Sequence, residues 1–158
     1  MTTLPRVVAP VCVRRAGHYD SQLLGRHVEG KFSATASAVA GVRDFARDTL
    51  NGWGLAKLAG LVSDAMLIAD ELAANVAAAV PDTDFVLALD YLGSRLRIAT
   101  VQDGMVVVPA GNSMPADDAE HGRGLPICSA LAAPGTLLAH NDEAKGSVEC
   151  YLEIPAAA

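Results

Sequence analysis

Positive charge is scarce in this chain: 12 Lys and Arg stand against 18 Asp and Glu, giving a formal net charge of -6. Affinity for nucleic acid comes mainly from Lys and Arg neutralising phosphates, so this balance argues against a direct nucleic-acid partner, and equally against an anionic membrane surface. Cysteine is scarce too. Cys12, Cys128 and Cys150 are odd in number and far apart, which excludes the close spacing of a zinc site or redox pair and leaves buried or idle thiols in a reducing compartment. No segment approaches the roughly 20 unbroken apolar residues of a membrane span. The opening MTTLPRVVAPVCVRR is broken by Pro10 and carries its charge on the far side, unlike a secretory leader. The expected location is cytoplasmic. Internal repeats are absent as well.

What the chain does have is apolar residues, 51% of the total, with 19% charged, over 158 residues. That is enough for one domain with its own core and too short for two ordinary ones. Residues 1–30 are interrupted by Pro5, Pro10, Gly17, Gly25 and Gly30 and read as an N-terminal extension leading into a first strand; residues 31–158 read as the domain proper. From Ser33 to Leu50, Val39, Val42, Phe45, Ala46 and Leu50 recur at helical spacing, with Asn51-Gly52 as a stop. A longer helical stretch follows from about Leu55 to Val80, with a break expected near Gly60 or Ser63, Ser63 as a cap, and Pro81 as its end. The period then drops to two. Phe85–Asp90 and Arg95–Val101 read as an antiparallel hairpin turning at Leu92-Gly93-Ser94. Residues 104–121 show neither period and read as a long loop, a candidate lid. Gly124–Ala133 reads as a short helix stopped by Pro134-Gly135, and Thr136–His140 and Ser147–Ile154 as two closing strands around a turn near Lys145-Gly146.

Projected at about 100° per residue, the second helix places Val62, Met66, Ala69, Leu72, Ala73, Val76 and Val80 on one broad face. Asp64, Glu71 and Asn75 fall within an arc of roughly 40° on the other side, among mostly apolar neighbours. A carboxylate and an amide covered by a lid need pairing groups, and hydrated Mg2+ with nucleotide phosphates would supply them; a solvated polar strip gives the same pattern. His121-Gly122-Arg123-Gly124-Leu125 lies between the loop and a helix start, where glycines let backbone N–H groups approach phosphate, the helix dipole favours an anion and Arg123 adds charge. Taken alone, such glycines are also an ordinary turn. Asp103, at a strand end before Gly104, could accept a hydrogen bond from an exocyclic amine, or simply make a turn.

In their order, ELAAN (Glu71 to Asn75), VQDG (Val101 to Gly104) and HGRGL (His121 to Leu125) resemble the asparagine box and the two glycine boxes of the GHKL ATPases. The resemblance covers about residues 32–155. Within that superfamily, FSATASAVAGVRDFARDTL, EHGRGLPICSALA and KGSVECYLEIP look like the stand-alone anti-sigma-factor serine/threonine kinases, which share a histidine-kinase-like ATP-binding domain.

The resemblance implies an α+β two-layer sandwich, a mixed and largely antiparallel sheet with helices on one face. It implies ATP and Mg2+ as cofactors. Asn75 would hold Mg2+, Glu71 would orient or deprotonate the attacking hydroxyl, and Asp103 and Gly104 would form the adenine side. His121, Gly122, Arg123, Gly124 and Leu125 would surround the phosphates, and Ser147 stands where the family often has a threonine near the adenine pocket. The implied reaction carries the γ-phosphoryl group to a serine or threonine of an anti-anti-sigma (STAS-type) partner, with sequestration of a sigma factor as a second activity and homodimer formation as the family's habit. Two departures bear on this. Val76 to Val80 lacks the basic residue or histidine common after the asparagine, and Met105 and Val107 replace later glycines of the fuller D-x-G-x-G form, in a loop made apolar by Val106, Val108 and Pro109. They keep open a catalytically silent GHKL-like regulator that acts by protein binding only. A detached ATP-binding half of a sensor histidine kinase fits less well, since His18 and His27 lie in the irregular first thirty residues.

Overall fold

Alternation of apolar and polar side chains sets the sheet, and a wide apolar stripe on the second helix sets the layer above it. The computed structural model describes residues 6–8, 26–104, 124–142 and 144–155. Along the chain come β1 (Arg6–Val8), β2 (Arg26–Ser33), α1 (Ala36–Gly52), α2 (Ala59–Ala79), β3 (Asp84–Tyr91), β4 (Arg95–Asp103), α3 (Gly124–Leu131), β5 (Leu138–Asp142) and β6 (Lys145–Glu153). The strands lie in the order β1-β2-β3-β4-β6-β5, and every described pairing is antiparallel. The fold is therefore an α+β sandwich, a five-stranded antiparallel sheet from β2 to β6 that the three-residue β1 extends at one edge, with three helices packed against it. None of the described helices is long and apolar enough to cross a membrane.

Helix α1 starts where Thr35 turns extended and its hydroxyl accepts from the Ala38 N–H at 3.3 Å, which satisfies one of the free donors of the first turn. It ends at Gly52, and Gly54, at φ +79, takes the left-handed conformation that lets Leu55 N–H bond back to Leu50 O at 3.0 Å. Leu55 is buried in the resulting turn, so the second helix begins at Ala59 and not at Leu55. It runs without a break through Gly60 and Ser63, and no side chain caps it. Helix α3 accepts Pro126 because it falls in the first turn, where a backbone N–H has no intrahelical partner. The last hairpin pairs Asp142 with Lys145 and Asn141 with Gly146, so Lys145 and Gly146 lie within the ladder and not at the expected turn.

The core lies between layers. Val28 of β2, Phe85, Leu87 and Leu89 of β3, Leu96 and Ile98 of β4, and Val148, Cys150 and Leu152 of β6 meet Val42, Phe45, Ala46 and Leu50 of α1 and the buried stripe of α2. Each fully buried Leu or Val contributes about 1.5–3 kcal/mol over its exposed state. Beta-strand β2 crosses residue 30, and Gly30 is needed there because a Cβ would come within 2.7 Å of the Phe32 ring and 3.2 Å of Phe45.

The sheet face away from the helices holds an ionic ladder running across five strands. Glu29 Oε1 meets His27 Nε2 at 3.0 Å, and His27 Nδ1 meets Asp90 Oδ1 at 2.5 Å. Arg97 donates to Asp90 Oδ2 at 2.7 Å and to Glu149 Oε2, and Glu149 Oε1 meets His140 Nε2 at 3.1 Å. Glu149 is fully buried and Asp90 nearly so. Burial alone would lower the pKa of His27, but the Asp90 carboxylate, with Glu29 behind it, outweighs burial and raises it.

Candidate functional site

The α2 stripe that packs inward is Leu61, Ala65, Ile68, Ala69, Leu72, Ala73 and Val76. Projected on the helix, these residues cover an arc of about 140°, rotated from the expected face so that Ile68 marks one edge. Asp64, Glu71 and Asn75 follow directly beyond Ile68. They form a shoulder of the buried stripe rather than its opposite side, and all three are half-buried.

Helix α3 packs along that shoulder. Cys128 of α3 is buried, and its Sγ reaches Ile68 O at 4.0 Å. Its thiol is pushed far up by burial, then by Cys150 and by the charge of Glu71, which places the Glu71 carboxylate at the α2–α3 contact. Glu71 itself is raised above the ordinary carboxylate range, first by burial and then by neighbouring Asp70. A carboxylate shifted in that direction is a better proton acceptor near neutral pH than a solvated one. Asp70 points elsewhere, to Arg43 of α1 at 2.7 Å. Asn75 lies one turn beyond Glu71 on the same shoulder, and Gly124 begins α3 on the facing element.

Strand register settles where the other nominated residues stand. Asp103 pairs with Lys145, and Val101 with Ser147. Both pairs belong to the same alternating set as Arg97 and Glu149, so Asp103 and Ser147 face away from the helices. Asp103 lines a cavity of about 420 Å³ together with its neighbour Gln102 and with Phe85, Lys31, Asp84 and Lys145, among others; neither Glu71 nor Asn75 lines it. The structure thus keeps Glu71 and Asn75 one turn apart on the α2 shoulder, with Glu71 at the α2–α3 contact, and sets Asp103 and Ser147 on the other sheet face. Gly104 remains near the first group: at φ +92 it lies against the end of α2, where an added Cβ would stand 3.6 Å from Val80. His121, Gly122 and Arg123 lie outside the described residues, as do Met105, Val107 and Cys12, and Leu125 is described only as part of α3.

Gln102 is the residue that motif reading passed over. It is the helix-facing neighbour of Asp103, buried to 3% exposure, opposite Phe85 on one side and Gly146 on the other. Its Nε2 has no hydrogen-bond acceptor among the described residues. Composition and period give no hint of this; only the parity of β4 does. Among the described residues no three His, Cys, Asp or Glu side chains gather as a metal site. A side-chain amide such as Asn75 nonetheless suits Mg2+, which keeps several waters and takes one or two protein oxygens together with substrate phosphates.

Cys128 and Cys150 are buried free thiols, the latter pushed up to about 12 by burial and by Glu149. Neither is a nucleophile at neutral pH. Compared with known proteins, no family model matches the chain and no curated relative is found.

Proposed function

We propose that this chain is a cytoplasmic GHKL-type ATP-binding regulator, similar to the anti-sigma-factor serine/threonine kinases. The observation that carries the proposal is the half-buried pair Glu71 and Asn75, one turn apart on the α2 shoulder, with Glu71 beside Cys128 of α3 and its pKa raised by burial. Nucleotide phosphates would lie between that shoulder and the N-terminal end of α3, where unpaired backbone N–H groups favour an anion. Mg2+, held by Asn75 and the phosphates, would supply charge neutralisation. Glu71 would take the proton of a partner's serine or threonine hydroxyl, its raised pKa suiting that step. Phosphoryl transfer rests mainly on positioning and electrostatics, so few side chains are needed.

The partner is proposed as an anti-anti-sigma protein of the STAS type, with a sigma factor as the sequestered target and self-association as a dimer. Incubation with labelled ATP, Mg2+ and candidate partners tests this. Label on a partner serine or threonine, absent with Glu71→Gln, is the expected result; binding of a partner without transfer of label would favour the silent regulator, to which the replacement of loop glycines by Met105 and Val107 also points.

A further inference from the structure

Asp103 and Ser147 face away from α2, so a nucleobase held beside Asn75 needs another contact. Only two polar side chains of β4, Thr100 and Gln102, stand on the helix side near its end, and both are buried. Gln102 is distinguished by its unpartnered Nε2. A buried amide donor without an acceptor is destabilising, and an apolar side chain of similar size would avoid that penalty. Its presence is therefore unexplained by folding alone. Its β6 neighbour is Gly146, which presents no side chain, and two residues on, an added Cβ at Gly104 would stand 3.6 Å from Val80 at the end of α2. Asn75 lies five residues before Val80 on the same helix.

The geometry points to Gln102 as the residue that reads the nucleobase, a purine carrying an amino group beside a ring nitrogen. A primary amide offers one donor and one acceptor side by side, complementary to adenine's amine and adjacent ring nitrogen. A carboxylate offers acceptors only. Turning the amide about its terminal torsion, which is broad, brings the enclosed Nε2 toward a ligand. This inference rests on the nucleotide reading above and adds to it the side chain that selects the base.

The test is titration of the full chain, with Mg2+, by ATP and by purine riboside triphosphate, which lacks the 6-amino group. Wild type should prefer ATP by roughly tenfold, the discrimination a paired amide gives. Gln102→Leu should bring the two affinities within about threefold of each other without lowering the melting temperature of the free protein, since it removes an unpartnered buried donor. Gln102→Met serves if the Leu variant does not fold. A preference unchanged in these variants, or one lost instead in Asp103→Asn, overturns the assignment while leaving nucleotide binding intact. Failure of the wild type to bind either nucleotide would overturn the nucleotide reading itself, and this inference with it.

Discussion

Removing Arg97 should be among the most damaging single changes to the sheet. Its guanidinium joins two carboxylates on neighbouring strands, Asp90 and Glu149, whose side chains are 4% and 0% exposed, while Arg97 itself is 22% exposed. Arg97→Met keeps most of the apolar stem and removes the charge. Breaking a buried ion pair costs about 3–5 kcal/mol, because the remaining charge stays desolvated. Here Asp90 keeps His27 and Glu149 keeps His140, so the lower end applies, about 3 kcal/mol. For a chain of this length that corresponds to a fall in Tm of roughly 6–12 °C. Arg97→Lys should fall between, since it restores charge without the planar fork that serves two acceptors. Reversible urea unfolding is the assay, with the midpoint read at constant slope. A loss below about 1 kcal/mol for Arg97→Met would refute the claim that the ladder is a buried network and class it with solvent-screened surface pairs.

Three further outcomes are expected. Gly30→Ala should cost about 1–3 kcal/mol by overpacking, because the new Cβ meets Phe32 and Phe45 rings already packed at 5.6 Å between centroids; a neutral effect in urea unfolding would show that the aromatic cluster can shift. His27→Gln should separate from wild type by pH. The His27 pKa is raised in the folded state, so its contribution is complete below its unfolded value near 6.5 and is lost as pH rises through the folded value. The stability gap should therefore be larger at about pH 5.5 than at about pH 8.5, and a gap that grows with pH would contradict the Asp90 pairing. Glu71→Gln should leave ATP affinity within about twofold and lower phosphoryl transfer at least a hundredfold, in the range for loss of a general base. Because the Glu71 pKa is raised, the acid limb of the wild-type pH–rate profile should lie above the ordinary carboxylate range; unchanged transfer in the variant would remove Glu71 from the reaction.

Much of the architecture was legible because period alone carries it. The change from helical spacing in α1 and α2 to alternation in β3 and β4 gave the layers, and Gly93, at φ +79, marks the hairpin where it was expected. Helix α2 starts later than its periodicity implies because Leu55 is buried by a turn folding back on α1, an effect of tertiary packing that mimics helical spacing. Lys145-Gly146 has turn composition, yet both residues pair within the sheet. Glu71 and Asn75 are nominated by their spacing on one helix, and the structure places both, half-buried, on the α2 shoulder. Asp103 was nominated by its place before a glycine, whereas the face it occupies is fixed by strand parity, and a shift of one residue changes the face of every side chain. Parity also made Gln102 visible. The ladder from Glu29 to His140 left no local trace, since its members come from five strands and only the register gathers them.

The central claim is that the α2 shoulder holds a magnesium nucleotide, and the most direct measurement is a titration of ATP into wild type and Asn75→Ala, each with and without Mg2+. Saturable one-to-one binding by wild type that requires Mg2+ is expected, lost in Asn75→Ala while the melting temperature of the free variant stays at the wild-type value. Equal affinity in the two proteins, binding indifferent to Mg2+, or no binding by wild type would contradict that claim.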